Sequence, residues 1–193
     1  MKRGATREEI IRTTQELIAR NGIRAVRVDE IAQMLGISKR TLYELFADKN
    51  DLVNTCLDAM NRQQQQRIAA CRRRRAGNPL QRAFRLANEY LDNLYDVDHT
   101  FLSDIRRREA FAGHYDDHRS FWCKELARAF EACREEHYLL PEVDSQAFAN
   151  RLMSTLLELR LGGSKREELY FFCRTILRGA ATKHGIDLID RNT

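Results

Sequence analysis

The stretch Val28-Asp-Glu-Ile-Ala-Gln-Met-Leu-Gly-Ile-Ser-Lys-Arg-Thr-Leu-Tyr-Glu-Leu-Phe-Ala-Asp-Lys-Asn-Asp-Leu52 decides the reading of this chain. Ile31, Ala32 and Leu35 recur at helical spacing, so a helix is expected over 28–35. Gly36 then breaks the pattern, and Ser38 is a good N-cap for a second short helix over 39–46. Two helices joined by a short glycine-containing turn are the layout that sets the second helix in the DNA major groove. That second helix carries Lys39, Arg40, Thr41 and Tyr43, side chains that can reach phosphates or base edges.

Working outward, Thr6 and Glu9 form a T-x-x-E capping box for a first helix over about 7–21. Ile10, Ile11, Thr14, Leu17 and Ile18 make its apolar stripe, and Gly22 ends it. Ile23 and Val26 are placed in the connecting loop. Leu42, Leu45 and Phe46 are expected to face the small core of this head. Asp48 caps a long fourth helix that continues through Leu52, Cys56, Leu57 and Met60 toward Ala76. Its polar middle, Asn61-Arg-Gln-Gln-Gln-Gln-Arg67, suits a connecting helix.

Gly77-Asn78-Pro79 is the clearest boundary, with Asn78 as N-cap and Pro79 as first helical residue. Further helices are expected over about 79–95, 99–112, 116–137 and 144–161. A last one, opened by a Ser164/Glu167 capping box, is expected to end near Gly185. No alternating apolar/polar run appears. The expected fold is therefore all-α with about nine helices: a helix-turn-helix domain (1–50), a connecting helix (51–76) and a larger helical body (77–193).

Composition supports this division. The chain has 193 residues, 43% hydrophobic and 32% charged, with a net charge of +5. The charge is uneven: +3 over residues 1–50, +4 over 51–76 and −2 over 77–193. The basic excess lies where a polyanion should dock. No apolar run of transmembrane length and no apolar signal core occurs, so a cytoplasmic protein with no membrane partner is expected. The five cysteines form no C-x-x-C pair and read as reduced thiols. No nucleophile–base set, P-loop or dinucleotide fingerprint is present, so neither enzyme activity nor a cofactor is expected. His114 and His118 stand four apart beside Asp117, but two ligands without a third make no metal site. Arg72-Arg-Arg-Arg75 reads as a solvated helix end and Lys2-Arg3 as an arm. Arg106-Arg107-Arg108 reads as ion-pairing residues or an anion contact.

Ile31-Ala32, Gly36-Ile37-Ser38-Lys39, Thr41-Leu42-Tyr43, Phe46, Lys49 and Leu52 together resemble the signature of the tetracycline-repressor-like (TetR) transcription regulators. The resemblance covers about 45 residues; beyond them only length, helix count and helix order agree. It implies a homodimer that binds a palindromic operator in double-stranded DNA through helices 1–3. It also implies a small-molecule effector enclosed by helices 5–7, a dimer interface on helices 8 and 9, and repression relieved by the effector through helix 4. On this resemblance, Arg27, Ser38, Lys39, Arg40, Thr41, Tyr43 and Lys49 are the expected DNA contacts. Arg40 is the expected base reader, and Tyr43 and Lys49 are phosphate anchors. Tyr90, Phe101, Ile105, Phe121 and Trp122 are the candidate lining of a pocket for a hydrophobic or aromatic ligand. Leu156, Leu157, Leu169, Phe172 and Ile176 are the candidate dimer contacts.

Two positions depart from the family pattern: Arg27 replaces the Ser or Thr that caps helix 2, and Leu45 replaces a frequent His. Glu44 is also unusual, since it puts a carboxylate on the DNA face. These departures motivate an alternative: a helical ligand- or protein-binding module with a vestigial reading head.

Overall fold

A computed structural model describes residues 5–73 and 77–191, with side chains except that of Arg73. The described residues form ten α-helices and no strand; one isolated antiparallel bridge pairs Leu139 with Ala181. In order these are α1 (Arg7–Asn21), α2 (Val28–Leu35), α3 (Lys39–Leu45), α4 (Lys49–Arg73), α5 (Pro79–Tyr95), α6 (His99–Arg107), α7 (Ala112–Glu135), α8 (Ser145–Leu161), α9 (Arg166–Gly179) and α10 (Lys183–Arg191). A 3-10 turn, Glu109–Phe111, precedes α7. None of the described helices is long and apolar enough to cross a membrane.

The chain divides into two compact units: residues up to 67 with 96–118, and residues 68–95 with those from 119 onward. In the first unit, local chemistry fixes each boundary. The Thr6 hydroxyl accepts from the Glu9 N–H, and the Glu9 carboxylate accepts from the Thr6 N–H, closing the capping box. Gly36 ends α2 in the left-handed conformation, φ 63° and ψ 31°, where a side chain is disfavoured. Ile10, Ile18, Ile31, Leu42, Phe46 and Leu52 are buried together. Fully burying side chains of this size stabilises by about 1.5–3 kcal/mol each. Ile23 and Val26, placed in a loop by sequence, are also part of this core.

α6 packs on α1 in the same unit. The Asp98 N–H donates to the Ala19 carbonyl at 2.7 Å, and the Asp104 carboxylate accepts from the Arg24 N–H at 2.9 Å. Phe101 and Ile105, on the inner side of α6, therefore join the core around Ile10.

The structure departs from the sequence expectation in three connections. The sixth helix stops at Arg107 rather than Ala112, because Arg108 is extended (φ −104°, ψ 117°) and Phe111 drops into the core. The seventh therefore starts at Ala112, not Asp116. The ninth helix is capped one residue later than expected: Lys165 N–H donates to Glu168, not Ser164 to Glu167. It ends at Gly179, and a tenth helix follows. That break is held by the Leu140 N–H on the Ala180 carbonyl and the Thr182 N–H on the Tyr138 carbonyl, both 3.0 Å. The Thr182 hydroxyl then accepts from the Gly185 N–H and starts α10.

In the second unit Trp122 is fully buried, with Tyr90 edge-on at 5.3 Å between ring centroids. Glu125 is buried one turn later on α7 and is held by Arg128 at 2.8 Å and Arg72 at 3.3 Å. Charge pairing satisfies a carboxylate that burial alone would penalise.

Candidate nucleic-acid interface

α3 is seven residues long, and its inner side is defined by two anchors. Leu42 is fully buried, and Phe46, just past the helix, turns extended (φ −138°, ψ 130°) and swings its ring into the core. The Arg7 guanidinium lies over that ring at 5.0 Å. With these two residues inward, Arg40, Tyr43 and Glu44 are left exposed. Leu45, expected in the core, is instead 41% exposed. The helix ends at Leu45, and Phe46 takes the inward position in its place.

Ser38 caps α3 by accepting from the Thr41 N–H at 3.0 Å, and the two hydroxyls lie 2.9 Å apart. This pair fixes the first turn, whose residues approach base edges in helix-turn-helix docking. Lys39 forms an ion pair with Asp29 on α2. The Arg40 Nε donates to the Glu44 carboxylate at 3.0 Å, with the Arg40 side chain 89% exposed. Arg27 is exposed and precedes α2 without supplying a side-chain cap.

Lys49 is half-buried at the start of α4, and its ammonium donates to the Val26 carbonyl. Burial holds its pKa below the ordinary lysine value, aided by the nearby Arg108 and opposed by Asp104. In this structure Lys49 ties α4 to the loop before α2 through one of its three N–H donors.

The pocket candidates separate. Phe101 and Ile105 belong to the core of the first unit, whereas Tyr90, Phe121 and Trp122 cluster in the second. Two cavities in the second unit, about 630 and 540 Å³, are lined by other residues. The larger lies among α7 and the segment leading into α8, beside Arg128, Glu131 and Pro141. The smaller lies among α5, α9 and α10, beside Leu80, Phe84 and Ile189. Among the dimer candidates, Leu156, Leu157 and Leu169 are buried within the chain, and Phe172 and Ile176 are half-buried. Phe171, not singled out in the sequence, is 74% exposed on α9. Its position opposite Leu169, Cys173 and Leu177 on the helix was the available signal.

His114 is engaged on both ring nitrogens, by Asn54 at 3.1 Å and Asp58 at 3.3 Å. Burial pushes the His118 pKa down to about 4, so it is neutral near pH 7. Among the described residues no group of three or more His, Cys, Asp or Glu side chains could hold a metal. Arg72 pairs with Glu125; the Lys2-Arg3 arm and Arg74-Arg75 lie outside the described residues.

Residues 10–56 match the family model described as bacterial regulatory proteins, tetR family. An uncharacterized HTH-type transcriptional regulator of Mycobacterium tuberculosis is 45% identical over 51 residues, 26% of this chain. The match spans 21% of that relative's length. Similar folds extend much further along the chain. A transcriptional regulator from Saccharomonospora viridis solved in complex with choline has a TM-score of 0.80 at 20% identity, over 91% of this chain and 96% of its own. The ketosteroid transcriptional regulator of M. tuberculosis has a TM-score of 0.66 at 20% identity, over 93% and 98%. A TetR-family regulator from Agrobacterium tumefaciens has a TM-score of 0.75 at 19% identity, over 91% and 97%. At these identities the structural likeness speaks for the fold. The family likeness rests on the helix-turn-helix head: over residues 10–56 the chain is similar to the TetR family of bacterial transcriptional regulators.

Proposed function

We propose that this regulator is a dimeric repressor, released from a palindromic operator by a small hydrophobic or aromatic molecule. Residues 1–50 act as the reading head, 51–76 as the connecting helix, and 77–193 as the effector-binding and dimerisation region. The observation that carries this reading is the outward display of α3. Leu42 and Phe46 hold the helix, while Arg40 and Tyr43 stand exposed beside the Ser38–Thr41 cap. Arg40 reads a base, Lys39 reads a base or phosphate, and Arg27, Ser38, Thr41, Tyr43 and Lys49 position the backbone.

Two such heads are needed for a palindrome. The exposed Phe171 on α9 supports a second copy docking there, with Phe172 and Ile176 at its margin. The cavity among α5, α9 and α10, beside Leu80, Phe84 and Ile189, supports a hydrophobic or aromatic effector, and a similar fold is solved with choline bound. The effector must bind the released conformation more tightly than the DNA-bound one, and such coupling is typically about 1–3 kcal/mol. Metal and cofactor have no part in this scheme.

The test is binding to a duplex enriched from a random pool. Arg40→Ala and Tyr43→Ala should lose operator binding while keeping helix content and dimerisation. Wild-type affinity should fall steeply with salt, because phosphate contacts release counterions. Full binding by both variants, or a flat salt response, contradicts the proposal. A folded dimer that binds ligand but enriches no duplex favours the ligand- or protein-binding module suggested by Arg27, Glu44 and Leu45.

A further inference from the structure

Glu44 is the sole acidic residue of α3, and helix stability does not explain it. It sits in the last turn, where the helix dipole disfavours a carboxylate. Its partner Arg40 lies four residues before it, the less favourable order for an i,i+4 pair. Both side chains are exposed, at 89% and 59%, and exposed pairs stabilise folds little.

We propose that Glu44 is a positioning residue: through Arg40 it sets which base pair is accepted at one position of each half-site. The inference rests on the assignment of α3 as the reading helix. The geometry carries it. Glu44 accepts from Arg40 Nε at 3.0 Å, which leaves the four N–H groups on the two terminal nitrogens for a base edge. Paired donors of this kind match the O6 and N7 acceptors of guanine. A long, solvated arginine otherwise samples many rotamers, and holding it through Nε lowers the ordering cost on binding.

The test measures wild type, E44Q, E44A, R40A and the R40A/E44A double variant by fluorescence anisotropy. The duplexes carry the selected site and every single base-pair change in one half-site. Glu44 is exposed, and unchanged far-UV ellipticity verifies that each variant folds. R40A should lose selected-site affinity at physiological salt, and its residual low-salt binding, where the R40A background is measured, should show no preference for guanine at one base pair. At that pair E44Q should weaken the preference about threefold, because glutamine keeps an uncharged acceptor. E44A should weaken it about tenfold, within the range of a bidentate contact. Preferences elsewhere and the salt slope should not change, and E44A should add nothing in the R40A background.

Retained guanine preference in E44A overturns the proposal. So does an equal gain in affinity for all duplexes, which marks simple charge repulsion. An E44A effect that persists without Arg40 also overturns it, since Glu44 then contacts a base itself. A wild-type protein that prefers no duplex refutes the assignment of α3, and this arm reports on that assignment independently of Glu44.

Discussion

Gly22 joins the reading head to α6, and Gly22→Ala should weaken that joint measurably. The residue has φ 78° and ψ 165°, a region nearly restricted to glycine. A Cβ there would lie 2.8 Å from Thr100 Oγ1, 3.1 Å from Asp104 Oδ2 and 3.2 Å from Thr100 Cβ. Neither neighbour is free to move away. The Thr100 hydroxyl donates to Asp98 at 2.7 Å, and Asp104 accepts from the Arg24 N–H at 2.9 Å. Backbone strain of this type costs about 1–3 kcal/mol, and overpacking adds a similar about 1–3 kcal/mol. Allowing for partial relaxation, the expected destabilisation is about 2–4 kcal/mol. Urea unfolding followed by far-UV ellipticity should show a midpoint lowered by about 1–2 M for an ordinary slope of this size class. Thr100→Ala in the same chain should restore part of that loss, since it removes the 2.8 Å contact but leaves the strained φ. A Gly22→Ala midpoint within about 0.2 M of wild type refutes the steric and conformational argument.

If the proposed dimer docks through α9, Phe171→Glu should leave a monomer in sedimentation experiments without loss of helix content, because this ring is exposed in the single chain; a persistent dimer would place the interface elsewhere. Leu156→Ala should instead lower stability by about 2–5 kcal/mol, since Leu156 is fully buried in its own chain. The Asp98 pKa is lowered, first by the hydrogen bond from the Thr100 hydroxyl and then by that from the Thr100 N–H. Its stabilising contribution is therefore present at neutral pH and lost as pH falls through the depressed native pKa. Asp98→Asn should make the decline in stability below about pH 4 shallower, and an unchanged acid limb would contradict this. Burial pushes the Cys56, Cys133 and Cys173 thiols up to about 12, whereas Cys71 is exposed. In the native protein a thiol reagent at pH 8 should modify Cys71 rapidly, and a fast phase that survives Cys71→Ser would contradict the burial argument.

The reading head was largely legible because short-range chemistry defines it. The Thr6/Glu9 box, the Gly36 turn and the Ser38 cap are local, and α1, α2 and α5 begin and end at the residues their sequence patterns indicate. What sequence did not resolve depends on which neighbour covers a face. Leu45 shares the apolar character of Leu42, but the turn at Phe46 takes the inward site. Phe101 and Tyr90 are equally plausible pocket aromatics by spacing, yet they sit in different compact units. Leu156 and Phe171 are both apolar residues on amphipathic helices; packing within the chain covers one and leaves the other bare. The break before α10 depends on hydrogen bonds to Tyr138 and Leu140, about forty residues earlier, which no local pattern contains.

The central claim is that α3 reads DNA sequence. It is tested most directly by incubating the purified protein with sheared DNA from its source genome and sequencing the bound fragments, with Arg40→Ala in parallel. Enrichment of one palindromic site by wild type, absent with Arg40→Ala, is the expected result. No enrichment at low salt from a folded dimer, or the same site enriched by both proteins, would contradict it.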